Sequence, residues 1–186
     1  MRVISGKAKG TKLNSIEDIS TRPTLDRVKE SLFNIIQNKI SESIVLDLFA
    51  GSGAIGIECI SRGAEKVYFC EKSHIASKMI YQNLEKTRFL DEAIVIQKDY
   101  EITLKMLNEK NISFDIIYID PPYMKNIAVH SVEQILSLNL LKEDGIIIIE
   151  TDDENRELKE LEKLQVKVND LRKYGRVSLL FLSRKE

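Results

Sequence analysis

The sequence predicts an α/β fold, a doubly wound and mostly parallel seven-stranded sheet preceded by a β-hairpin and a helix. Three observations predict it. Short apolar runs typical of buried strands alternate with segments whose apolar residues recur at helical spacing. The first run is followed at once by a glycine-rich turn, Gly51-Ser52-Gly53, and a helical pattern. The last two runs are separated by only a few residues, which favours an antiparallel hairpin at one end of the sheet.

The predicted elements follow one another without a repeat or a linker. Residues 1–14 suggest a small hairpin, 21–24 a turn and 25–38 a helix. The five parallel strands are predicted over residues 44–49, 66–70, 93–97, 114–119 and 145–150. Ser73 is expected to cap the helix that carries Ile75, Met79, Ile80 and Leu84. Further helices are predicted through Leu104 and Leu107, near 129–140 and over 152–163, before the final strands 165–171 and 176–182.

Length and composition indicate one domain, residues 1–186, in which 1–40 form a basic hairpin and helix and 41–186 the α/β core. The chain has 186 residues, 43% of them hydrophobic, which suffices for a sizeable core. Its net charge of -1 excludes a global basic field, so any nucleic-acid surface must be local. The absence of a long apolar run and of a signal sequence predicts a cytoplasmic protein. Cys59 and Cys70, which lack CxxC spacing, are predicted to be free core thiols.

The stretch from Ile44 to Gly56 predicts a nucleotide-binding cradle. A buried strand, a glycine turn and the start of a helix direct free backbone N–H groups towards a ligand. Gly51, Gly53 and Gly56 match GxGxxG, which is typical of nicotinamide dinucleotide sites. Asp47 argues against that ligand, because its carboxylate lies inside the strand, where it would repel a pyrophosphate. It suits a cationic ligand, such as a sulfonium that carries an α-amino group.

Two further acids follow predicted strands. Glu71, at the tip of the second strand, is placed to accept hydrogen bonds from the two hydroxyls of an adenosine ribose. Asp99, at the tip of the third, could accept from the adenine amino group or could cap the helix that begins at Tyr100, and the sequence leaves both open. Because the carboxyl ends of parallel strands share one edge of a sheet, these acids are expected beside the glycine turn.

The segment Asp120-Pro121-Pro122-Tyr123, after the strand 114–119, is the sharpest chemical signal in the chain. Two prolines end the strand with a rigid backbone and leave the Pro121 carbonyl free. Asp120 and that carbonyl can accept the two protons of an exocyclic amino group, while Tyr123 stacks on the ring. A proline-stiffened loop with a capping aspartate is the alternative. The position after a strand, downstream of the glycine cradle, favours the catalytic interpretation.

Basic residues mark the N-terminal segment. Residues 1–14 contain no acid, and the helix that follows begins among cations, which is unfavourable at the positive end of a helix dipole. Both features predict an RNA-facing surface, although the hairpin could be a solvated ribbon and Asp26 and Glu30 could neutralise the helix. The expected RNA-binding residues are Arg2, Lys7, Lys9, Lys12 and Arg22, with Arg27 and Lys29 beside them.

The order of these motifs resembles a known family, the bacterial 16S ribosomal RNA guanine-N2 methyltransferases of the D type. The resemblance covers nearly the whole chain. It rests on Arg22-Pro23-Thr24 with Asp26-Arg27-Val28, LDLFAGSG at 46–53, Ser61-Arg62-Gly63-Ala64, Glu71-Lys72, Asp120-Pro121-Pro122-Tyr123 and Tyr174-Gly175. Tyr123 stands where many relatives carry Phe, and either ring can stack on a base.

The resemblance implies the Rossmann-like sheet of S-adenosylmethionine-dependent methyltransferases, S-adenosylmethionine as cofactor and a guanine in 16S rRNA, free or in the assembling small subunit, as target. No metal site is predicted, since His74 and His130 lack ligand spacing with an acid or thiol. The implied cofactor-binding residues are Thr24, Arg27, Asp47, Phe49, Ala50, Gly51, Ser52, Gly53, Glu71, Lys72, Asp99 and Asp120. The implied catalytic residues are Asp120, Pro121, Pro122 and Tyr123.

Three other functions fit part of the sequence. A DNA adenine-N6 methyltransferase shares an acid-Pro-Pro-aromatic tetrad, but such enzymes usually carry a target-recognition domain that 186 residues do not accommodate. A nicotinamide oxidoreductase leaves Asp47 and the tetrad unexplained. A non-catalytic RNA-binding module explains only the basic terminus and predicts that Asp120 is dispensable.

Overall fold

The computed structural model describes residues 1–15, 23–122 and 126–185, with the side chains of 23–25 excepted. Arg22, Tyr123 and the Thr24 side chain, all predicted site groups, lie outside this description. The strands are β1 (Ile44–Asp47), β2 (Lys66–Cys70), β3 (Ala93–Ile96), β4 (Phe114–Ile119), β5 (Leu141–Thr151), β6 (Val166–Tyr174) and β7 (Val177–Arg184). The helices are α1 (Pro23–Ile40), α2 (Ala54–Ser61), α3 (His74–Thr87), α4 (Tyr100–Glu109), α5 (Ile127–Ser137) and α6 (Glu154–Leu161).

Within the described part of the chain, seven strands form one sheet in the order β3-β2-β1-β4-β5-β7-β6. Strands β1 to β5 pair in parallel, and β7 runs antiparallel between β5 and β6. This is the strand order of the S-adenosylmethionine-dependent methyltransferase fold, so the predicted fold class is confirmed. The antiparallel hairpin predicted at the end of the sheet is also present, as β6 and β7.

Each side of the sheet has its own apolar core, because successive side chains of a strand point to opposite sides. Helices α1, α2 and α3 and the N-terminal hairpin cover the side to which Val45, Tyr118 and Ile148 point. Helices α4, α5 and α6 cover the side to which Leu46 and Ile117 point. We call these the α1–α3 side and the α4–α6 side.

The helix ends follow from local sequence. Helix α1 begins at Pro23 and not at Leu25; proline suits the first helical position because the N–H that it lacks would have no partner in the helix. Gly63 follows the end of α2 with φ +105, a left-handed conformation that favours glycine. Ser73 caps α3 as predicted, since its hydroxyl accepts a backbone N–H at 3.3 Å.

One apolar residue of α3 is exposed, and one strand end needs correction. Ile75 is 70% exposed, because the buried residues of α3, which include Ile80 and Leu84, recur every four positions and Ile75 lies off that line. Strand β5 begins at Leu141, ahead of the predicted Gly145, because Leu141 pairs with Phe114 of β4 across a local irregularity of the register.

Residues 1–14 form the predicted hairpin, in which Arg2 and Lys12 are an antiparallel pair. Their neighbours Val3 and Leu13 are buried in the core of the α1–α3 side. Arg2 and Lys12 therefore point outward and are exposed. Cys59 and Cys70 are free and buried, as predicted. Among the helices in the described ranges, none is long and apolar enough to cross a membrane.

Candidate active site

Three acidic side chains meet at the carboxyl ends of β1, β4 and β5. Asp47 is the last residue of β1, Asp120 follows β4, and Glu150 lies near the end of β5. Each acid comes two residues after a strand residue, Val45, Tyr118 or Ile148, whose side chain points to the α1–α3 side. Because alternate residues of a strand share a side, the three acids are placed on the same side. Together with Tyr118 they line a cavity of about 240 Å³, which we call the central cavity.

Asp120 lies where three cavities meet. It borders the central cavity, a cleft of about 520 Å³ beside β2 and β3 that we call the outer cleft, and a cavity of about 30 Å³ towards β5 and α6 that we call the narrow cavity. Pro121 and Pro122 line the narrow cavity with it, and Pro122 also lines the outer cleft. A group held by Asp120 is therefore accessible from all three spaces.

Asp47 is a buried acid that caps a helix. Its Oδ2 accepts a hydrogen bond from the Gly56 N–H at 3.1 Å, while Gly53, the residue before α2, offers no side chain for this purpose. Burial raises the pKa of Asp47 to about 7; the Gly56 hydrogen bond opposes this rise and the charge of Glu71 adds to it. A cation in the central cavity would favour the ionised carboxylate.

Asp120 and Glu150 form a pair of acids that resists carrying two negative charges. Asp120 is exposed where the cavities open, yet the neighbouring protein atoms displace part of the water around its carboxyl group. The resulting loss of hydration, followed by the charges of Glu150 and Asp47, raises the pKa of Asp120 well above its ordinary value. Burial also raises the pKa of Glu150, and the hydrogen bond donated by the Tyr118 hydroxyl lowers it in part.

Glu71 holds the glycine turn against β2. Its Oε2 accepts the Gly51 N–H at 2.9 Å and its Oε1 accepts the Ser73 N–H at 2.8 Å. A Cβ on Gly51 would meet no heavy atom within 4 Å, so the turn presents an open surface to the central cavity and the outer cleft. Gly56 has a different role, since a Cβ there would lie 2.3 Å from the Phe69 ring and would separate α2 from β2.

The outer cleft contains the predicted nucleoside-binding acids together with aromatic rings. Its lining includes Phe49, Glu71, Lys72, Asp99 and Tyr100. Asp99 does cap α4, because its Oδ1 accepts the Glu101 N–H at 3.1 Å, and its Oδ2 lies 4.0 Å from the Lys72 ammonium. The rings of Phe49 and Tyr100 pack with their centroids 5.3 Å apart. The cleft thus combines hydrogen-bond acceptors with an aromatic wall.

Most of the remaining predicted cofactor-binding residues lie at the same edge. Ala50 and Ser52 line the central cavity. Gly53 precedes α2 in the left-handed conformation, with φ +79. Arg27 is exposed on α1 and lines neither the central cavity nor the outer cleft, so its role in cofactor binding stays a prediction.

The placement of Lys29 on the RNA-facing surface is wrong. Lys29 is only 4% exposed and pairs with the fully buried Glu58, Nζ to Oε2 at 3.1 Å. Its ammonium also donates to the Arg2 carbonyl at 3.2 Å. Burial lowers the pKa of Lys29, and the charge of Glu58 opposes that effect. Lys29 therefore ties α1 to α2 and to the hairpin.

Helix α2 holds the basic hairpin at one end and the glycine turn at the other. Glu58 accepts two backbone N–H groups of the hairpin, at 2.8 and 3.0 Å. The Ser61 carbonyl accepts the Lys7 N–H at 2.8 Å. Gly6 approaches this carbonyl so closely that a Cβ on it would lie 1.8 Å from the oxygen.

The hairpin presents its cations to solvent. The exposed side chains are Arg2, Lys7, Lys9 and Lys12. Arg2 and Lys12 stand directly opposite each other, and like charges in this arrangement are destabilising. An anion that bridges the two would relieve the repulsion.

The sequence interpretation missed Tyr100, Tyr118 and Glu150. Glu150 ends an apolar run in the same way as Glu71 and Asp120, so that signal could have found it. Tyr100 directly follows the acid at the end of β3, which is a weaker signal. Tyr118 lies inside an apolar strand, and its contact with Glu150 depends on strand pairing that the sequence does not show.

Comparison with known proteins finds matches over most of the chain. The model of the family described as "Conserved hypothetical protein 95" matches residues 1–183. "Putative rRNA methyltransferase YlbH" of Bacillus subtilis is 40% identical over 154 residues, 83% of this chain and 84% of that protein. "Ribosomal RNA small subunit methyltransferase D" of Haemophilus influenzae is 34% identical over 152 residues, 82% of this chain and 79% of that protein. The solved structure of "Putative methyltransferase yhhF" from Escherichia coli has a TM-score of 0.82 at 26% identity and covers 100% of this chain and 98% of that one.

Proposed function

The chain belongs to the family described as conserved hypothetical protein 95, and we propose that it transfers a methyl group from S-adenosylmethionine to N2 of a guanine in 16S rRNA. The observation that carries the proposal is the position of Asp120 where the three cavities meet, with Pro121 beside it in the narrow cavity. The names of the Bacillus and Haemophilus relatives support ribosomal RNA as the substrate. The substrate is free 16S rRNA or the assembling small subunit, in the cytoplasm.

The described residues suit S-adenosylmethionine, which supplies an electrophilic methyl group on a sulfonium when bound. Asp47 offers a buried carboxylate to a cationic ligand in the central cavity. Glu71 accepts one backbone N–H at each oxygen, which leaves each oxygen a lone pair for a ribose hydroxyl. Phe49 and Tyr100 offer an aromatic wall to adenine in the outer cleft.

Asp120 and the Pro121 carbonyl prepare the target amino group. The lone pair of guanine N2 is delocalised into the ring, so the free amino group is a poor nucleophile. Hydrogen bonds accepted by Asp120 and by the Pro121 carbonyl localise this lone pair and fix its direction. As the N2–methyl bond forms, the nitrogen must lose a proton, and the raised pKa of Asp120 makes its carboxylate a suitable acceptor. The Tyr123 ring would stack on the base.

The exposed hairpin cations would contact the RNA backbone. Arg2 and Lys12 together form a concentrated positive charge that one phosphate can bridge. The target base must leave its stack to reach Asp120, which suits an RNA loop better than a duplex.

The decisive experiment is single-turnover transfer of a labelled methyl group to small-subunit particles that lack the modification. Asp120→Ala should abolish transfer and leave cofactor binding intact, whereas Asp120→Asn keeps one acceptor and should retain part of the activity. Tyr123→Phe should be tolerated, and Tyr123→Ala should weaken base binding by about 1–3 kcal/mol. Asp144→Ala, an exposed acid outside the three cavities, is the matched control. Near wild-type transfer by Asp120→Ala would rule out this site. Mapping the methylated nucleotide in rRNA from a deletion strain identifies the target.

A further inference from the structure

The narrow cavity lies between the catalytic segment and helix α6. Asp120, Pro121 and Glu150 line one part of it, and Arg156 and Glu157 line another. Its volume of about 30 Å³ is that of roughly one water molecule. The cavity can therefore admit the polar edge of a planar base whose ring lies outside, but not a whole base.

Arg156 and Glu157 both line the narrow cavity, and each side chain has a buried polar atom without a hydrogen-bond partner in the described parts of the chain. Glu157 is only 2% exposed, and its Oε1 accepts a hydrogen bond from Arg156 Nη2 at 2.7 Å. The second oxygen, Oε2, and the Arg156 Nε are buried and have no hydrogen-bond partner in the described parts of the chain. Buried polar atoms are paired in nearly all native structures, so these two atoms are suited to a ligand. One is an acceptor and the other is a donor.

The polar edge of guanine has a pattern that other amino-bearing bases lack. It presents the N2 amino group, the N1–H donor and the O6 acceptor in a row. Adenine and cytosine also carry an amino group, but the ring nitrogen beside it is an acceptor. Asp120 and the Pro121 carbonyl can accept protons from any of these amino groups. Selection of guanine therefore needs an acceptor for N1–H and a donor for O6.

We infer that Glu157 and Arg156 select guanine as the target base. Glu157 Oε2 accepts the N1–H, and Arg156 Nε donates to O6 while Asp120 holds the amino group. Adenine is rejected because its N1 lone pair would face the Glu157 carboxylate. The inference rests on the proposed function and deepens it: the two residues determine specificity, and the chemical step stays with Asp120.

The test compares two 16S rRNAs, ligated so that they differ only at the mapped target nucleotide. One carries guanine and the other 2-aminopurine, which keeps the N2 amino group but has neither N1–H nor O6. The wild-type protein should show a kcat/KM about 10- to 100-fold lower for the 2-aminopurine RNA.

Three variants identify the residues responsible. Glu157→Gln should bring the kcat/KM values for the guanine and 2-aminopurine RNAs to within about threefold of each other, because its amide can donate to the N1 of 2-aminopurine. Arg156→Lys keeps the positive charge but displaces the donor, and should lower transfer to guanine more than transfer to 2-aminopurine. Glu160→Gln makes the same chemical change on the same helix at a residue that does not line the narrow cavity, and should behave as wild type.

The outcomes separate this inference from the proposed function. Equal transfer to both RNAs by the wild-type protein would overturn the guanine-selecting role and leave the methyltransferase proposal standing. Full preference for guanine in both Glu157→Gln and Arg156→Lys, with both variants folded by thermal melting, would also overturn it. No transfer to either RNA by the wild-type protein, in a preparation that binds S-adenosylhomocysteine, contradicts the proposed function itself. The wild-type comparison decides the matter even if a variant fails to fold.

Discussion

Asp47 caps helix α2 from the end of β1, on the far side of the glycine turn: its Oδ2 accepts the Gly56 N–H at 3.1 Å. Burial raises the pKa of Asp47 to about 7 from an ordinary value of about 4, and the Gly56 hydrogen bond only partly opposes this rise. Between these values the folded chain binds a proton that the unfolded chain has released. The free energy of unfolding contributed by Asp47 therefore falls as the pH rises through that window.

Asp47→Asn should stabilise the cofactor-free protein at pH 8. The amide oxygen can still accept the Gly56 N–H, while the unfavourable buried charge is removed. We expect a gain of about 1–4 kcal/mol in the free energy of unfolding at pH 8 and a much smaller change at pH 4. Urea unfolding at both pH values measures this. The same variant should bind S-adenosylmethionine more weakly in calorimetry. A variant less stable than wild type at pH 8 would contradict the argument.

Glu71→Ala should weaken cofactor binding by roughly 1–3 kcal/mol, because two ribose hydrogen bonds are lost. Calorimetry with S-adenosylhomocysteine measures the effect, with NAD as the competing ligand class. Glu85→Ala is the control, because Glu85 is an exposed acid on α3 that lines neither the central cavity nor the outer cleft. Micromolar binding of NAD, with none of S-adenosylhomocysteine, would instead favour an oxidoreductase.

Glu150→Gln should shift the pH dependence of methyl transfer to lower pH. Transfer rises with pH as Asp120 ionises, and the negative charge of Glu150 helps to raise the pKa of Asp120. Removing that charge lowers this pKa, while the amide oxygen can still accept the Tyr118 hydroxyl proton. Single-turnover rates of methyl transfer, measured from about pH 5 to 9 at saturating cofactor, give the midpoint, the pH at which the rate reaches half its maximum. A midpoint that stays in place or moves to higher pH would show that the two acids do not interact in this way.

Replacing Arg2, Lys7, Lys9 and Lys12 by glutamine should weaken RNA binding without changing cofactor affinity. If all four contact phosphates, the slope of log K against log salt should fall in magnitude by roughly 3 to 4. Filter binding at several salt concentrations measures it. The matched control replaces four exposed lysines, Lys105 on α4, Lys110 directly after α4, Lys159 on α6 and Lys167 on β6. An equal loss in both variants would indicate only a non-specific effect of net charge.

The strands whose first and last residues could be predicted are those whose ends are determined by the residues next to them in the sequence. The predicted bounds of β2, 66–70, and of β4, 114–119, match the structure because each strand is a short, mostly apolar run between turn or polar residues. The start of β5 was four residues late because Leu141 joins the sheet by pairing with Phe114. That partner is set by the tertiary fold and not by the residues next to Leu141.

The candidate site shows the same division. The glycine turn and the acids at the strand ends were recognisable, since parallel strands place their carboxyl ends together. Lys29 was misplaced because its partner, Glu58, lies 29 positions away (58 − 29) on another helix. The unpaired atoms of Arg156 and Glu157 could not be predicted from the sequence either. A charged helix that is fully exposed has the same sequence pattern as one in which a single acid is buried.

Gly6 and Ser61 limit how sequences of this fold can diverge. A Cβ at position 6 would meet a backbone carbonyl oxygen, which no side-chain rotation can move away, and φ is +83 there. Mutation at position 6 is therefore tolerated only if the end of α2 moves as well. Descendants of this chain should keep a glycine at this position, or should change the hairpin loop and the α2 terminus together. Substitutions in these two segments should therefore depend on each other, although more than fifty residues separate them in the chain.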